Sequence, residues 1–547
     1  MSWRTGWDFS SVYNPFAPMH PPRTKLYADP QGKLLHDLVF ATAERSPEKI
    51  AIVDTSTTPP REVTYAEYAD LVERMARGLI AADIRPQQVV AIYLPNCWEF
   101  CAAFHAISYA GAVSTLLNPS YREREVRYQL ENSEAVALIT DGPLIHEMDL
   151  KGLPALKNVF YTRTGAGAAE PFSKLLKDRA NALPWREFDP LTTLACLPYS
   201  SGTTGLPKGV MLTHANLVVN VFQTLIPGEA GALTPDDRML CFLPLYHIYG
   251  LTVALDMMLA LGGTLVLMPR FDPRRSLELL IEQQITMAPC VPPVLLNWSQ
   301  QAEEGRFPKD SSLRWVKSGA APLAPELALR FTAQTGVQIR QGYGMTEASP
   351  VTHLGFLEPE WYRPTSIGYP AAQTECRILD EYGNEVAPGE CGELVMRGPQ
   401  FMRGYWKADA ATASVLRDGW YWSGDVARRD DEGFYFIVDR RKEMIKYCGF
   451  AVAPAEVEGV LLEHPAVRDC GVIGRPDAEH GEIPMAFIIL RNPQQESPQL
   501  AEDLKDFVAQ RITRYKQPRE IVFTDSIPRT ASGKILRREL RQRLETS

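Results

Sequence analysis

Up to about Arg340 the chain alternates between short apolar runs and amphipathic stretches of helical length. The apolar spacing in KLLHDLVFATAER (33–45) predicts a helix. QVVAIYLP (88–95) reads as a buried strand ending at Pro95, and WEFCAAFHAISYAGAV (98–113) as the next helix, followed by the strand STLLN (114–118). AVALITD (135–141) and TLACLPYSS (193–201) read as further strands. A β-α-β-α order predicts an α/β fold with mainly parallel sheets, because parallel neighbours need crossover helices between them.

Beyond Ser366 the pattern changes. ECRILD, GELVMRG and GFYFIVD are short strands separated by turns, a small β-rich unit. The last hundred or so residues mix helices (AEVEGVLLEH, AEDLKDFVAQRI) with strands (DCGVIG, AFIIL). The charged stretch Asp439–Lys442 separates two apolar segments and is the expected domain boundary. Ile248–Met268 is apolar enough to suggest a membrane span, but Asp256 and Gly262-Gly263 interrupt it. Two buried elements joined by a turn are the better expectation.

Composition narrows the classes. A net charge of -9 argues against nucleic acid as the main partner, since phosphate backbones need a basic surface. Nine cysteines, an odd number with only Cys97 and Cys101 close together, fit thiols in a reducing, cytoplasmic setting and give no metal-ligand spacing. The N-terminus lacks the apolar core of a secretory signal, and no transmembrane segment is expected.

YSSGTTGLPKGV (199–210) carries hydroxyls, glycines and one lysine, with no acid. Alone, such a run fits either a flexible surface loop or a cradle whose backbone N–H groups and cation hold phosphate. It lacks the Gly-Lys-Ser/Thr ending of the common P-loop. Its strand-to-loop position favours a ligand site, because α/β sheets bind ligands beyond the carboxyl ends of their strands.

QGYGMTEASP (341–350), YWSGDVARRDDEGFYFIVDRRKEMIKYCGF (421–450) and PRTASGKILRREL (528–540) follow that loop in order. Together these motifs resemble the acyl-adenylate-forming superfamily over about Leu34 to Leu540. SGTTGLPKGVMLTHANL and LPLYHIYG are most similar to 4-coumarate:CoA ligases and bacterial fatty acyl-CoA ligases. The resemblance implies a large N-terminal domain (1–438) of two α/β subdomains plus a β-barrel-like one, a hinge (439–442), and a small mobile α+β C-terminal domain (443–547). It implies that ATP, with Mg2+, converts a carboxylic acid to an acyl-adenylate, which coenzyme A then captures. A monomer or homodimer is implied.

The resemblance also assigns roles. Ser200, Ser201, Gly202, Thr203, Thr204, Gly205 and Lys208 would hold the β- and γ-phosphates. Tyr343 would stack on adenine, with Ala320, Gln341, Gly342, Gly344 and Val438 around the nucleotide. Thr346 would bond the α-phosphate, and Glu347 with Thr204 would hold Mg2+. Asp425 and Arg440 would take the ribose. Lys534 would bridge the acid's carboxylate and the α-phosphate, offsetting the repulsion between two anions. Lys442 would be the pivot, and Lys446, Gly449 and Phe450 the face presented to the incoming thiol.

Where plant ligases and luciferase usually read Lys-Gly-Phe/Tyr-Gln, this chain reads Cys448-Gly449-Phe450-Ala451. Alanine offers no side-chain amide, so the acceptor stays open between coenzyme A and the alternative of an adenylation-only enzyme passing acyl-AMP to a carrier-protein thiol or a separate partner enzyme. LPLYHIYG holds no acid to pair with an ammonium, which disfavours amino acids. His247 resembles the gating aromatic beside the substrate carboxylate, with a core histidine as the alternative. Ile248, Tyr249, Lys317, Gly319, Ala320, Pro350 and Val351 would line the acyl pocket, which suits either an aryl-propenoic or a medium-to-long fatty acid.

Overall fold

The computed structural model describes residues 32–146, 148–162, 170–177, 188–200, 206–225, 233–448, 450–477, 479–530 and 533–545. Two mainly parallel sheets are built up to Leu354. In one, Val89–Tyr93 lies between Val113–Leu116 and Ala137–Thr140, all parallel and all fully buried. Burial on both faces explains why these strands read as continuous apolar runs rather than alternating ones. In the other, Gln338–Gly344, Trp315–Ser318, Met287–Cys290, Arg238–Cys241, Thr264–Leu267 and Ile50–Asp54 run parallel in that order. Helices Tyr65–Ala81 and Trp98–Tyr109 fill the core shared by the two sheets, with Tyr65, Tyr68, Met75, Phe100 and Phe104 fully buried.

Two predicted elements are shorter than their patterns suggest. The helix begun at Trp98 ends at Tyr109, because Gly111 takes φ +74° and turns the chain into Val113–Leu116. TLACLPYSS divides at Pro198, which has no N–H for a ladder. Leu194–Cys196 stays in the parallel sheet, and Tyr199–Ser200 pairs with Lys208–Gly209 in a separate ribbon.

Ile248–Met268 folds as expected into buried pieces. A helical turn at Ile248–Gly250 passes into a π-helical turn at Leu251–Asp256 and a helix at Met257–Leu261. Gly262 (φ +93°) stops that helix before the strand Thr264–Leu267. Among the described residues no helix is long and apolar enough to cross a membrane. Asp256 is buried with Oδ1 3.3 Å from His105 Nε2, while the Tyr68 hydroxyl lies 2.8 Å from the other ring nitrogen.

The β-rich unit is an antiparallel five-stranded sheet built around Cys391–Arg397 and Trp420–Arg429, with Tyr435–Arg440 on its far side. A second five-stranded sheet follows, centred on the long hairpin Val467–Asp477/Gly481–Leu490. Helices Pro454–Leu462, Pro498–Ala509 and Arg537–Glu545 belong to this part, which has its own apolar core around Val457, Val472, Ile488 and Leu504.

Candidate active site

A cleft of about 1740 Å³ opens at the carboxyl ends of Val113–Leu116, Trp315–Ser318 and Gln338–Gly344. The antiparallel sheet forms one side, and residues of the C-terminal sheet and its following turn cover it.

The ribbon Tyr199–Ser200/Lys208–Gly209 forms the base of the Gly-rich loop and sets Ser200 opposite Lys208. Tyr199 donates to Asn132 Oδ1 (2.6 Å) and Tyr128 to the Pro207 carbonyl (2.9 Å), so both legs are fixed. Ser201, Gly202, Thr203, Thr204 and Gly205 lie outside the described residues.

Glu347 sits on a short 3-10 turn after the strand Gln338–Gly344 and is 8% exposed. Its Oε1 accepts from Ser200 Oγ (3.1 Å) and from the Tyr405 hydroxyl (2.7 Å). Thr346 lines the cleft beside it. The backbone here is packed tightly: a Cβ on Gly344 would lie 2.1 Å from the Pro350 carbonyl oxygen, and Ala320 stands at φ +68°.

Asp425 is buried on Trp420–Arg429, in register with Arg440. Arg440 Nε lies 3.3 Å from Asp425 Oδ1, and the Tyr343 hydroxyl donates to Oδ2. Burial, and then the Asp425 charge, raise the Tyr343 phenol well above its ordinary range, so it remains a donor. Glu393 secures this corner, accepting from Gly424 N (3.1 Å) and from Arg441 (2.8 Å).

Where Tyr249 and Lys317 line the cleft, His247 Nδ1 accepts from Tyr249 N (3.2 Å) and caps the turn Ile248–Gly250. Desolvation pushes the imidazole down to about 4, so it is neutral at pH 7. Tyr249 donates to the Lys317 carbonyl (2.8 Å), and its ring packs where a Gly319 side chain would stand. Lys317, Gly319, Pro350 and Val351 line the same wall.

Lys534 reaches the cleft from a turn in which Lys534 N donates to Thr530 Oγ1 (3.1 Å) and Gly533 takes φ +81°. Arg529 braces that turn, holding the Gly533 carbonyl (2.8 Å) and Asp469 (2.7 Å). Desolvation, with the Arg440 charge second, lowers Lys534 to about 8, while Asp425 opposes the shift. Lys442 and Lys446 also line the cleft, and Lys446 N donates to Glu482 (2.7 Å).

Not every expected residue lines the cleft. Gln341 is buried behind it with its amide on the Pro364 carbonyl, Val438 is half-buried in its strand, and Lys208 stands in the ribbon base. Phe450 is exposed and stacks on Tyr515 at 4.9 Å, and Gly449 lies outside the described residues. Tyr405 and Glu393 escaped the sequence reading, since both act through partners distant in the chain.

Among the described residues no three His, Cys, Asp or Glu side chains stand together as a metal site. Glu347 is a buried carboxylate with the Ser200 and Tyr405 hydroxyls beside it. That donor set fits Mg2+, which takes few protein ligands and completes its shell with phosphate and water.

The AMP-binding enzyme model matches residues 39–406, and the AMP-binding enzyme C-terminal domain model matches 456–534. The chain belongs to the AMP-binding enzyme family. It is 37% identical over 523 residues to 4-coumarate--CoA ligase 2 of Solanum tuberosum, covering 94% of each chain. Its fold matches an anthranilate CoA ligase solved with anthranoyl-AMP at a TM-score of 0.85, with 27% identity over 93% of this chain and 97% of that one. It also matches the o-succinylbenzoate CoA synthetase of Bacillus subtilis solved with ATP and magnesium ion, at a TM-score of 0.78 and 32% identity, covering 92% and 99% of the two chains.

Proposed function

We propose that this chain is an AMP-forming acid:CoA ligase. It activates a carboxylic acid with ATP to an acyl-adenylate, releases pyrophosphate, and passes the acyl group to coenzyme A. A carboxylate is a poor electrophile with a very poor leaving group, and adenylation supplies a good one. What supports this most directly is convergence: Lys534, Asp425 with Arg440, and Glu347 with Ser200 face one cleft from three separate parts of the chain.

Ser200 and the Gly-rich loop position the outer phosphates, Thr346 the inner one, and Asp425 with Arg440 the ribose. Tyr343 offers its ring to adenine. Glu347 would hold Mg2+ on the protein side, and the ion would supply charge neutralisation to the triphosphate. His247, being neutral, adds no charge beside the incoming carboxylate and closes the acyl end against water. Lys534, below its ordinary range in the free cleft, becomes firmly protonated once two anions flank it, and it draws the carboxylate oxygen to the α-phosphorus. The acid is of the aryl or fatty class, and the setting is cytoplasmic. The domains divide as 1–438, 439–442 and 443–547, with the last turning about Lys442 between half-reactions.

The test is pyrophosphate exchange across aryl, short, medium and long acids, with and without coenzyme A. Acid-dependent exchange followed by coenzyme-A-dependent AMP release is expected. Absence of exchange with every acid overturns the proposal. Exchange without thioester moves the acceptor to a carrier-protein thiol, a second reading favoured by exposed Ala451 following Cys448 at φ +48°.

A further inference from the structure

Residues 403–406 run alongside the outgoing leg of the Gly-rich loop. Arg403 N donates to the Met211 carbonyl (3.0 Å), Met211 N to the Gly404 carbonyl (3.0 Å), and Trp406 N to the Gly209 carbonyl (2.8 Å). Val210 and Tyr405 form an antiparallel bridge between these contacts. Tyr405 is 8% exposed, its own N–H donates to Thr412 Oγ1 (2.8 Å), and its hydroxyl lies 2.7 Å from Glu347 Oε1. The same oxygen accepts from Ser200, on the incoming leg of the loop. One carboxylate oxygen therefore ties together both legs of the loop and the turn that follows the strand Gln338–Gly344.

We infer that Tyr405 is a positioning residue for the metal carboxylate: its hydroxyl fixes Glu347 through Oε1 and so orients the carboxylate toward the divalent cation that accompanies the triphosphate. This rests on the acid:CoA ligase reading above. An ionised carboxylate oxygen only accepts, so the Tyr405 hydroxyl is the donor of this pair. A carboxylate free to rotate would spend part of its time turned from the cation. A hydrogen bond to a charged acceptor removes that freedom at the cost of a single buried hydroxyl.

The test compares wild type with Tyr405→Phe, which removes one oxygen and no packing volume. Mn2+ is titrated onto each protein with a non-hydrolysable ATP analogue, and binding is followed by electron paramagnetic resonance. Roughly tenfold weaker Mn2+ binding is expected in the variant, the scale of one hydrogen bond to a charged group. The thermal midpoint should fall by no more than a few degrees, and the half-saturating acid concentration should be unchanged. In a Glu347→Gln background the Phe substitution should add no further loss. Unchanged Mn2+ affinity in Tyr405→Phe, or a full additional loss in the Glu347→Gln background, overturns the inference. The titration needs no turnover, so its result stands apart from the acid screen: exchange-active wild type with an unaltered Tyr405→Phe titration rejects Tyr405 alone, whereas wild type inactive with every acid rejects the ligase reading.

Discussion

The two sides of the cleft are built differently. On the N-terminal side each polar group is fixed by the wall around it: Asp425 by Tyr343 and Arg440, Glu347 by Ser200 and Tyr405, and Tyr249 by the Lys317 carbonyl. On the covering side the strong pairs stay inside the lobe. Arg537 holds Glu458 at 2.8 Å and Arg529 holds Asp469 at 2.7 Å. Across the seam, Arg491 approaches Glu303 only to 3.7 Å. The main tie lies at the crossover itself, where Ala455 N donates to Asp439 (3.0 Å). One side is a preorganised receptor, and the other is a body whose strong ion pairs are its own. The proposed function asks this body to carry Lys534 into the site and withdraw it intact.

The sharpest way to break this comparison is Lys534→Ala. It should lower acid-dependent pyrophosphate exchange by on the order of a hundredfold to a thousandfold. Conversion of a supplied acyl-adenylate to thioester should change less than about tenfold. Lys446→Ala should do the reverse, lowering thioester formation about tenfold to a hundredfold. Equal losses in both assays for either variant would mean that the cover presents one face only.

A pH profile sharpens the same point more gently. In the proposed reaction Lys534 works as a cation; burial lowers it to about 8, so its active form is lost as pH rises. For adenylation, kcat/KM, which reports the free enzyme, should fall about tenfold per unit above that value. The limb in kcat should lie higher, because the bound anions hold the proton. A profile flat to pH 10 would exclude Lys534 as the controlling cation. The smallest effect should come from Arg491→Ala at the seam, where an exposed, long ion pair contributes less than about 1 kcal/mol. Both half-reactions should stay within about fivefold of wild type; a larger loss in exchange alone would show the seam holds more tightly than its geometry implies.

Much of the framework was legible in the chain. Val89–Tyr93 and Ala137–Thr140 announce themselves as apolar runs because both faces are buried. The break in Ile248–Met268 follows from Asp256 and Gly262, one of which found a histidine partner and the other a left-handed φ. Element ends were less legible. Nothing before Gly111 marks where the helix from Trp98 must stop, and Pro198 sat inside an otherwise continuous strand pattern. Asp425, Glu347 and Lys534 were legible only through the resemblance of their motifs to the acyl-adenylate-forming superfamily. Tyr405 was not, because its partner lies 58 residues away and a tyrosine in RGYW carries no spacing signal for a carboxylate. Glu393 is hidden for the same reason, its role set by the register of Cys391–Arg397 against Trp420–Arg429.

The π-helical turn Leu251–Asp256 has one residue more than an α-helical turn requires. Deleting that surplus would let the segment relax into an ordinary helix and swing whatever precedes it by about 100°. His247 and Tyr249 stand immediately upstream. If these two side chains line the acyl pocket as proposed, selectivity for the acid can drift by indel, with each side chain retained and only its bearing altered.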